Sequence, residues 1–371
     1  MFTCPVRCSA SKGGLLFCVV LLALFAATAF GGEIQTFAGN KGPGFAGDGG
    51  SVSDVQFHEV NGIVLGPDRA LYVCDTKNHR IRRISAEGVV STLAGNGSAG
   101  FSGDGGPATQ AVLNEPYEVR FDPAGNCFTV ERLNHCVRRI DGKTGTISTV
   151  AGTGGKAGFG GDGGPATAAL LSEPHSITFD RAGDLYICDI RNHRVRRVSM
   201  KTGIITTFAG TGERKPTPDG APFASAPLNG PRALDVDRDG NLWLALREGN
   251  AIYRLSPSTG MLHHVAGIGG KPGFAGNGGP AKAALLGGPK GISVAPNGNV
   301  YFADTESHSI RFVDLAKGTV ELLSGTGNKG NGPDGDPLKC QLARPHGVFV
   351  DAQGAVYIGD TENERVRIVR P

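Results

Sequence analysis

Short apolar segments recur along the chain, and each ends at a cluster of Gly, Asn and Asp. In one stretch the segments SITFD, LYICD and HRVRRV follow one another with turn residues between them. Alternating apolar and polar positions with this punctuation predict antiparallel β-hairpins. The same order of segments returns in six units spaced 56–58 residues apart, which indicates a repeat architecture. The equivalent apolar residues of the first strands are Ile63, Val119, Ile177, Leu234, Ile292 and Val348.

A fourth strand follows five of the six units, in segments such as GVVSTLAG and GTISTVAG. The sixth unit lacks one because the chain ends at RVRIVRP. A matching segment, GEIQTFAG, stands at the other end of the chain, at Gly32–Gly39. If it joins the last unit, the ring closes and no sheet edge is left open. We therefore predict an all-β fold, a six-bladed β-propeller over residues 30–371 closed by this N-terminal strand.

The phrase GDGGPAT, at residues 103–109 and 161–167, falls between the fourth strand of one unit and the first strand of the next. Its glycines suit tight turns, so we interpret it as the connection between blades. We expect its aspartates to accept backbone N–H groups and nearby phenylalanines to anchor the loop by packing. Calcium binding by the loop is the alternative. The residues concerned are Asp48, Asp104, Asp162, Phe45, Phe101, Phe159 and Phe274.

The first 29 residues differ from the repeats. Arg7 and Lys12 precede an apolar run that ends at small residues, which is the arrangement of a secretory signal peptide cleaved after Ala29. The run is short for a membrane span. We predict a secreted or periplasmic protein with no transmembrane span after cleavage, and an uncleaved anchor is the alternative.

Charge and cysteine content narrow the class further. The net charge is only +3, so no basic field points to nucleic acid or an anionic membrane, and we expect a monomer. Removal of the signal peptide leaves five of eight cysteines, an odd number. With a loop centred near Leu133, Cys127 would face Arg139 and Cys136 would point to the other face of the sheet. We expect no disulfide between these two cysteines.

The units EPHSITFDRAGDLYICDIRNHRVRRVS and NGIVLGPDRALYVCDTKNHRIRRIS resemble the NHL-repeat family, in particular its secreted bacterial branch. The resemblance covers nearly all of the chain after the signal peptide. It implies a six-bladed propeller that serves mainly as a binding or interaction platform. The fourth unit departs from the pattern, because ALREGNAIYRL lacks both the Asp and the Asn-His-Arg.

The innermost strand of each blade lines the central channel, and its first residues surround the channel mouth. One position there differs from unit to unit although its surroundings repeat, and we expect a ligand to contact it. Its Arg and Lys favour an anionic small molecule, peptide or protein. A solvated polar ring without a ligand is the alternative. The six residues are Asn61, Tyr117, His175, Arg232, Lys290 and His346.

The segments EPHSI and RPHGV, which contain His175 and His346, resemble the zinc sites of peptidylglycine amidating lyases, related propeller enzymes in which three such histidines hold a catalytic zinc. Here there are two, three blades apart, and a third protein ligand is not evident. We predict no cofactor and no catalytic residue. Zinc at these histidines, and with it a metal-assisted lyase or lactone hydrolase, is the alternative to a non-catalytic binding module.

Two other sets of residues recur in register and are therefore interpreted as structural. We expect the histidines to form hydrogen bonds within the loop after the second strand, and the carboxylates before them to accept backbone N–H groups of that loop. A carboxylate ring that binds calcium in the channel is the alternative. Third-strand arginines such as Arg82, Arg138 and Arg196 would stack between blades or pair with the acids. These sets are His79, His135, His193 and His308, and Asp75, Glu131, Asp189, Asp304 and Asp360.

Overall fold

Alternating apolar positions form short antiparallel strands. In the computed structural model, which describes residues 32–39 and 42–371, the strands assemble into six sheets in chain order. This arrangement confirms the predicted six-bladed β-propeller. The signal peptide and its boundary lie outside the described residues. Within the described part, no helix has the length and apolarity that a membrane crossing requires.

The first three blades are four-stranded meanders. The chain enters through β1 (Ile34–Gly39). Blade 1 contains β2 (Val60–Leu65), β3 (Leu71–Asp75), β4 (Arg80–Ile84) and β5 (Val90–Ala94). Blade 2 contains β6 (Pro116–Phe121), β7 (Cys127–Glu131), β8 (Cys136–Ile140) and β9 (Ile147–Ala151). Blade 3 contains β10 (Pro174–Phe179), β11 (Leu185–Asp189), β12 (Arg194–Val198) and β13 (Ile205–Ala209).

Blades 4 to 6 repeat the plan, and short 3-10 helices stand in several loops and linkers. Blade 4 contains β14 (Pro231–Val236), β15 (Leu242–Leu246), β16 (Ala251–Ser256) and β17 (Met261–Ala266). Blade 5 contains β18 (Gly279–Pro280), β19 (Pro289–Val294), β20 (Val300–Asp304), β21 (Ser309–Asp314) and β22 (Thr319–Ser324). Blade 6 contains β23 (Val348–Val350), β24 (Val356–Asp360) and β25 (Arg365–Val369). The 3-10 helices are Thr76–Asn78, Ala108–Gln110, Ala166–Ala168, Ile190–Asn192, Ala281–Ala283, Thr305–Ser307 and Thr361–Asn363.

The N-terminal strand closes the ring. β1 pairs antiparallel with β25, so that Ile34 lies opposite Val369. Ile34 is fully buried in the apolar core that blades 5 and 6 share. The last blade therefore takes its outer strand from the opposite end of the chain, as the sequence predicted.

The Gly-rich linkers cover the outer edges of the blades. Each linker precedes a blade and bonds to the outermost strand of that blade, as where Gly105 N–H donates to the Ile147 carbonyl at 2.8 Å. The corresponding bonds join Gly49 to Val90, Gly163 to Ile205, Gly220 to Leu262, Gly278 to Val320 and Gly335 to Ile34. Outer strands are the edges at which sheets aggregate. The repeated phrase thus connects the blades and also covers their outer strands.

Buried arginines of the third strands hold these linkers in place. The side chain of Arg196 is fully buried, and it binds Asp162 of the linker at 2.7 Å and Asp189 of the second strand at 3.5 Å. Its guanidinium also lies 5.0 Å from the centre of the Phe159 ring. Asp162 accepts from this arginine and from Thr207. The expectation that the linker aspartates accept backbone N–H groups was therefore wrong, and the equivalent Asp48 and Asp104 behave in the same way.

The carboxylates at the ends of the second strands accept backbone N–H groups, as predicted, but from a different segment. Asp189 accepts the N–H of Ser172, which precedes the first strand of blade 3, at 2.7 Å. From the loop after its own strand, it accepts a hydrogen bond only from the Asn192 side chain. The prediction that the donors are backbone N–H groups of the loop after the second strand was therefore wrong. The recurring carboxylates are Asp75, Glu131, Asp189, Asp304 and Asp360, and all five are fully buried.

The recurring loop histidines join neighbouring blades. His79 Nδ1 accepts the N–H of Glu115, in the next blade, at 3.2 Å. The expectation of hydrogen bonds within the loop was wrong, because three of these histidines, all at positive φ, accept from the following blade. The interblade bonds join His79 to Glu115, His135 to Glu173, Asn250 to Gly288, His308 to Arg344, and Glu364 to Glu59. Among the six junctions, the one between blades 3 and 4 lacks this bond: His193 Nδ1 has no partner among the described residues.

The cysteines from residue 42 onward are unpaired and buried. Cys127 lies opposite Ile140, and Cys136 lies opposite Glu131. The predicted facing residue, Arg139, was wrong by one position. The conclusion that Cys127 and Cys136 form no disulfide is confirmed.

Candidate functional site

A β-bulge presents the variable residue in five of the blades. In blade 3 the pairing of β10 with β11 shifts between Pro174 and Ser176, so that His175 has no partner across the ladder. A bulge redirects the side chain of the extra residue. The register shifts at the same place in blades 1, 2, 4 and 5. In blade 6 the position, His346, lies two residues before Val348, the first residue of the short strand β23.

The six variable residues converge on one cavity at the channel mouth, with a volume of about 280 Å³. The structure thus brings together all the residues that the sequence singled out for ligand contact, namely Asn61, Tyr117, His175, Arg232, Lys290 and His346. Asn61 is committed to a structural bond, since its amide donates to Thr76 Oγ1 at 2.8 Å. The other five offer aromatic or charged surface to the cavity.

Tyr117 occupies the centre of this group. Its ring contacts the imidazoles of His175 and His346 edge to face, with centroid distances of 4.7 and 6.1 Å. Arg232 lies over the same ring at 4.7 Å and donates to the Tyr117 hydroxyl. Burial raises the pKa of Tyr117. Tyr117 therefore separates the two histidines and positions Arg232.

Both histidines are held in the same tautomer. His175 Nδ1 lies 2.6 Å from the Glu173 carbonyl, and His346 Nδ1 lies 2.9 Å from the Arg344 carbonyl. A carbonyl only accepts, so Nδ1 carries the proton and Nε2 is left as an acceptor. Burial, and then the positive charge of Arg232 for His175 or of Lys290 for His346, lowers both pKa values well below the usual range. The imidazoles are neutral at pH 7 and contribute no positive charge to the mouth.

Lys290 is a buried amine between two partners. Its Nζ lies 3.1 Å from His346 Nε2 and 3.0 Å from a carboxylate oxygen of Glu306. Burial and the neighbouring Arg232 lower its pKa to about 7. The charge of Lys290 therefore changes near neutral pH.

Among the described residues, Arg232 is the cation of the mouth that has no carboxylate partner. It is 8% exposed, and no carboxylate of the described residues lies within ion-pair distance of it. Its Nε has no hydrogen-bond partner in the described part of the chain. A buried guanidinium with open donors leaves positive charge available to a bound anion.

A second ring of residues, which sequence reasoning missed, forms the rim of the mouth two positions before each variable residue. All six adopt positive φ. Their side chains differ in size: the rim residue is a glutamate in blades 1 to 3, a glycine in blades 4 and 5, and an arginine in blade 6. The alignment of the units contained this signal, because the column changes from Glu to Gly. The rim residues are Glu59, Glu115, Glu173, Gly230, Gly288 and Arg344.

The geometry does not assemble a metal site. Over residues 32–39 and 42–371, no group of three or more His, Cys, Asp or Glu side chains is placed to hold a metal ion. His175 and His346 are separated by Tyr117, as described above. The zinc and calcium alternatives thus gain no ligand set from the described residues.

The NHL repeat is matched in three places, at residues 57–84, 171–198 and 342–369. These ranges fall in blades 1, 3 and 6 and end with their third strands. This chain is an NHL-repeat β-propeller. Among its curated relatives are NHL repeat-containing protein 2 of Bos taurus and the chloroplastic protein SUPPRESSOR OF QUENCHING 1 of Arabidopsis thaliana.

The bovine relative is 29% identical over 81% of this NHL-repeat propeller and 44% of its own length. The plant relative is 28% identical over 75% of this chain and 27% of its own. The chain thus spans less than half the length of these relatives.

Solved structures with this fold include binding proteins and enzymes. An auxiliary nutrient binding protein from Bacteroides thetaiotaomicron superposes with a TM-score of 0.65 at 17% identity, covering 91% of this chain and 76% of that one. Virginiamycin B lyase from Staphylococcus aureus superposes with a TM-score of 0.56 at 15% identity, covering 92% of this chain and 99% of that one. At these identities the likeness concerns the fold alone, and the NHL-repeat propeller must be interpreted from its own residues.

Proposed function

We propose that this protein is a non-catalytic binding module that holds an anionic small molecule, or an acidic group of a peptide or protein, at the channel mouth. The observation that carries the proposal is Arg232, a buried guanidinium that lies in the mouth without a carboxylate partner. Leaving such a charge unpaired is costly in a protein interior. A bound anion would supply the missing partner.

The other charged residues of the mouth also favour an anionic ligand. Arg132, Arg191, Arg247 and Arg344 line the cavity beside Arg232 and Lys290, against four glutamates. Each of these four arginines pairs with a glutamate, as Arg344 does with Glu362 at 3.1 Å. The glutamates therefore neutralise the rim and leave the positive charge concentrated at the base.

We further propose that the protein acts outside the cytoplasm, since the expected signal peptide would direct it there. A nutrient binding protein among the structures of the same fold is compatible with this setting. The proposed ligand would then be an acidic solute or an acidic surface met outside the cell.

Isothermal titration calorimetry of the purified protein with carboxylates and phosphates tests this function. Arg232→Met should weaken binding of the tightest anion by about 10- to 100-fold, the effect of losing a charge-assisted hydrogen bond. Arg181→Met is the matched control, because Arg181 is exposed on a hairpin at the other end of the channel. Equal affinity of the Arg232→Met variant and the wild type would refute the proposal.

A metal-independent enzyme is the second candidate, and one observation favours it. His346 Nε2 and Lys290 Nζ lie 3.1 Å apart in the mouth, and an amine with a pKa of about 7 can transfer protons at neutral pH. Turnover of lactones or cyclic peptide esters, followed in a pH-stat, tests this candidate. His346→Gln should abolish turnover while binding persists; no turnover of any such substrate by the wild type would exclude it.

A further inference from the structure

A second cavity, which we call the side pocket, lies beside the mouth between blades 3 and 4. Its volume is about 260 Å³. It shares Glu173, His175, Arg191, Arg232 and Arg247 with the mouth, so the two spaces adjoin. Its remaining wall is formed by Ile190, His193, Arg214 and Glu248. It lies at the junction that lacks the interblade hydrogen bond.

The missing bond has a local cause. At the other junctions the N–H of the rim residue donates to the side chain of the preceding blade, as Glu115 does to His79. At the junction of blades 3 and 4 the rim residue is Gly230, and its N–H donates to the Leu228 carbonyl at 3.1 Å. His193 Nδ1, which is buried, therefore receives no N–H from the rim residue. Because Gly230 has no side chain, the carboxylate of Glu248 lies where a rim side chain would begin.

The polar groups of the side pocket are incompletely satisfied. Arg232 Nε, Arg247 Nε and Glu248 Oε2 are buried and lack hydrogen-bond partners among the described residues. Buried polar groups are nearly always paired with protein or with a bound molecule. These groups make the wall of the side pocket polar. Unpaired Nε atoms also occur at the buried third-strand arginines, so the sign of the ligand follows from the charges of the pocket.

Two arginines that line the side pocket have no carboxylate partner among the described residues. Arg191 pairs with Glu173 at 3.3 Å, and Arg247 pairs with Glu248 at 2.7 Å. No carboxylate of the described residues lies within ion-pair distance of Arg214 or Arg232. Arg232 stands where the two cavities meet, and Arg214 is exposed at the far wall of the side pocket.

We propose that the ligand carries two acidic groups, carboxylate or phosphate, one bound by Arg232 and the other by Arg214 in the side pocket. This inference rests on the proposed binding function and specifies its ligand as a di-anion. The chain between the acidic groups would lie along the side pocket, in contact with His193 and Arg247.

Calorimetry with paired probes tests the inference. Glutarate and adipate are compared with butyrate, and fructose 1,6-bisphosphate with glycerol 3-phosphate, so that each two-acid probe has a one-acid partner and the two arms separate carboxylate from phosphate. Arg214→Ala should weaken the binding of a two-acid probe by about 10-fold or more and the binding of its one-acid partner by less than about 2-fold. Lys215→Ala is the control, since Lys215 is exposed and pairs with Glu213 outside the pocket.

The outcomes separate this inference from the function on which it rests. If Arg214→Ala weakens neither probe or weakens both equally, or if no two-acid probe binds more tightly than its partner, the inference is overturned. Arg232-dependent binding of one-acid probes would in that case still support the proposed function. If Arg232→Met leaves all affinities unchanged, or if no probe binds to the wild type, both fail.

Discussion

Two neighbouring arginines on one strand should differ strongly in their contribution to stability. The side chain of Arg196 is fully buried and bridges Asp162 and Asp189. Arg197 points to the other face, is 43% exposed and pairs with Asp184 at the surface. Removing one partner of a buried pair leaves an uncompensated charge and costs about 3–5 kcal/mol. Removing an exposed partner costs about 0–1 kcal/mol. Arg196→Met should therefore destabilise the propeller by several kcal/mol more than Arg197→Met.

Urea unfolding followed by the fluorescence of Trp243 measures this difference, because Trp243 is the single tryptophan of the chain and is buried in blade 4. The double variant Arg196→Met with Asp189→Asn should recover part of the loss, since it leaves no buried charge on Asp189. Equal unfolding free energies for Arg196→Met and Arg197→Met would show that the buried arginines do not hold the linkers.

Three further predictions concern the ring, the mouth and the thiols. Ile34→Ala should lower the unfolding free energy by about 2–5 kcal/mol, with the exposed Gln35→Ala within about 0.5 kcal/mol of the wild type; similar values for both would argue against closure by β1. Anion affinity should rise as the pH falls through 7, because Lys290 gains its proton there, and Lys290→Met should flatten the calorimetric profile; an unchanged profile in this variant would contradict the assignment. The five cysteines after residue 42 should react with Ellman's reagent only after denaturation, because burial raises their pKa values and excludes the reagent; rapid native labelling would contradict their burial.

The architecture could be predicted from sequence because repetition turns weak local signals into a strong one. A single strand such as LYICD is ambiguous, but six copies in register define a unit, and the displaced copy at Gly32–Gly39 indicates how the ring closes. The six mouth residues were found by the same means, since an invariant frame makes a variable position visible. They converge on one cavity because a bulge presents the variable residue in five blades, and because His346 lies just before the first strand of the sixth.

The linkages between units could not be predicted in the same way. His79 and Glu115 are far apart in sequence and in different blades, and no local pattern shows that one accepts the N–H of the other. The histidines were consequently assigned to their own loop. Likewise, the sequence shows that Asp162 recurs but not that Arg196, on the third strand of the following blade, donates to it. The tautomers of the mouth histidines depend on carbonyls that only the folded backbone positions.

The departures from symmetry in this ring are concentrated around blade 4. The fourth unit lacks the Asn-His-Arg pattern, its rim residue is Gly230, and the junction before it lacks the interblade bond. A Cβ at Gly230 would lie 1.5 Å from Glu248 Oε2, so this carboxylate occupies the place where a rim side chain would begin. The carboxylate of Glu248 and the absent rim side chain thus belong to one local arrangement. Since the other five junctions are bonded, stability alone does not require an open junction here, and an opening that leads directly to Arg232 is better explained by a molecule that occupies it.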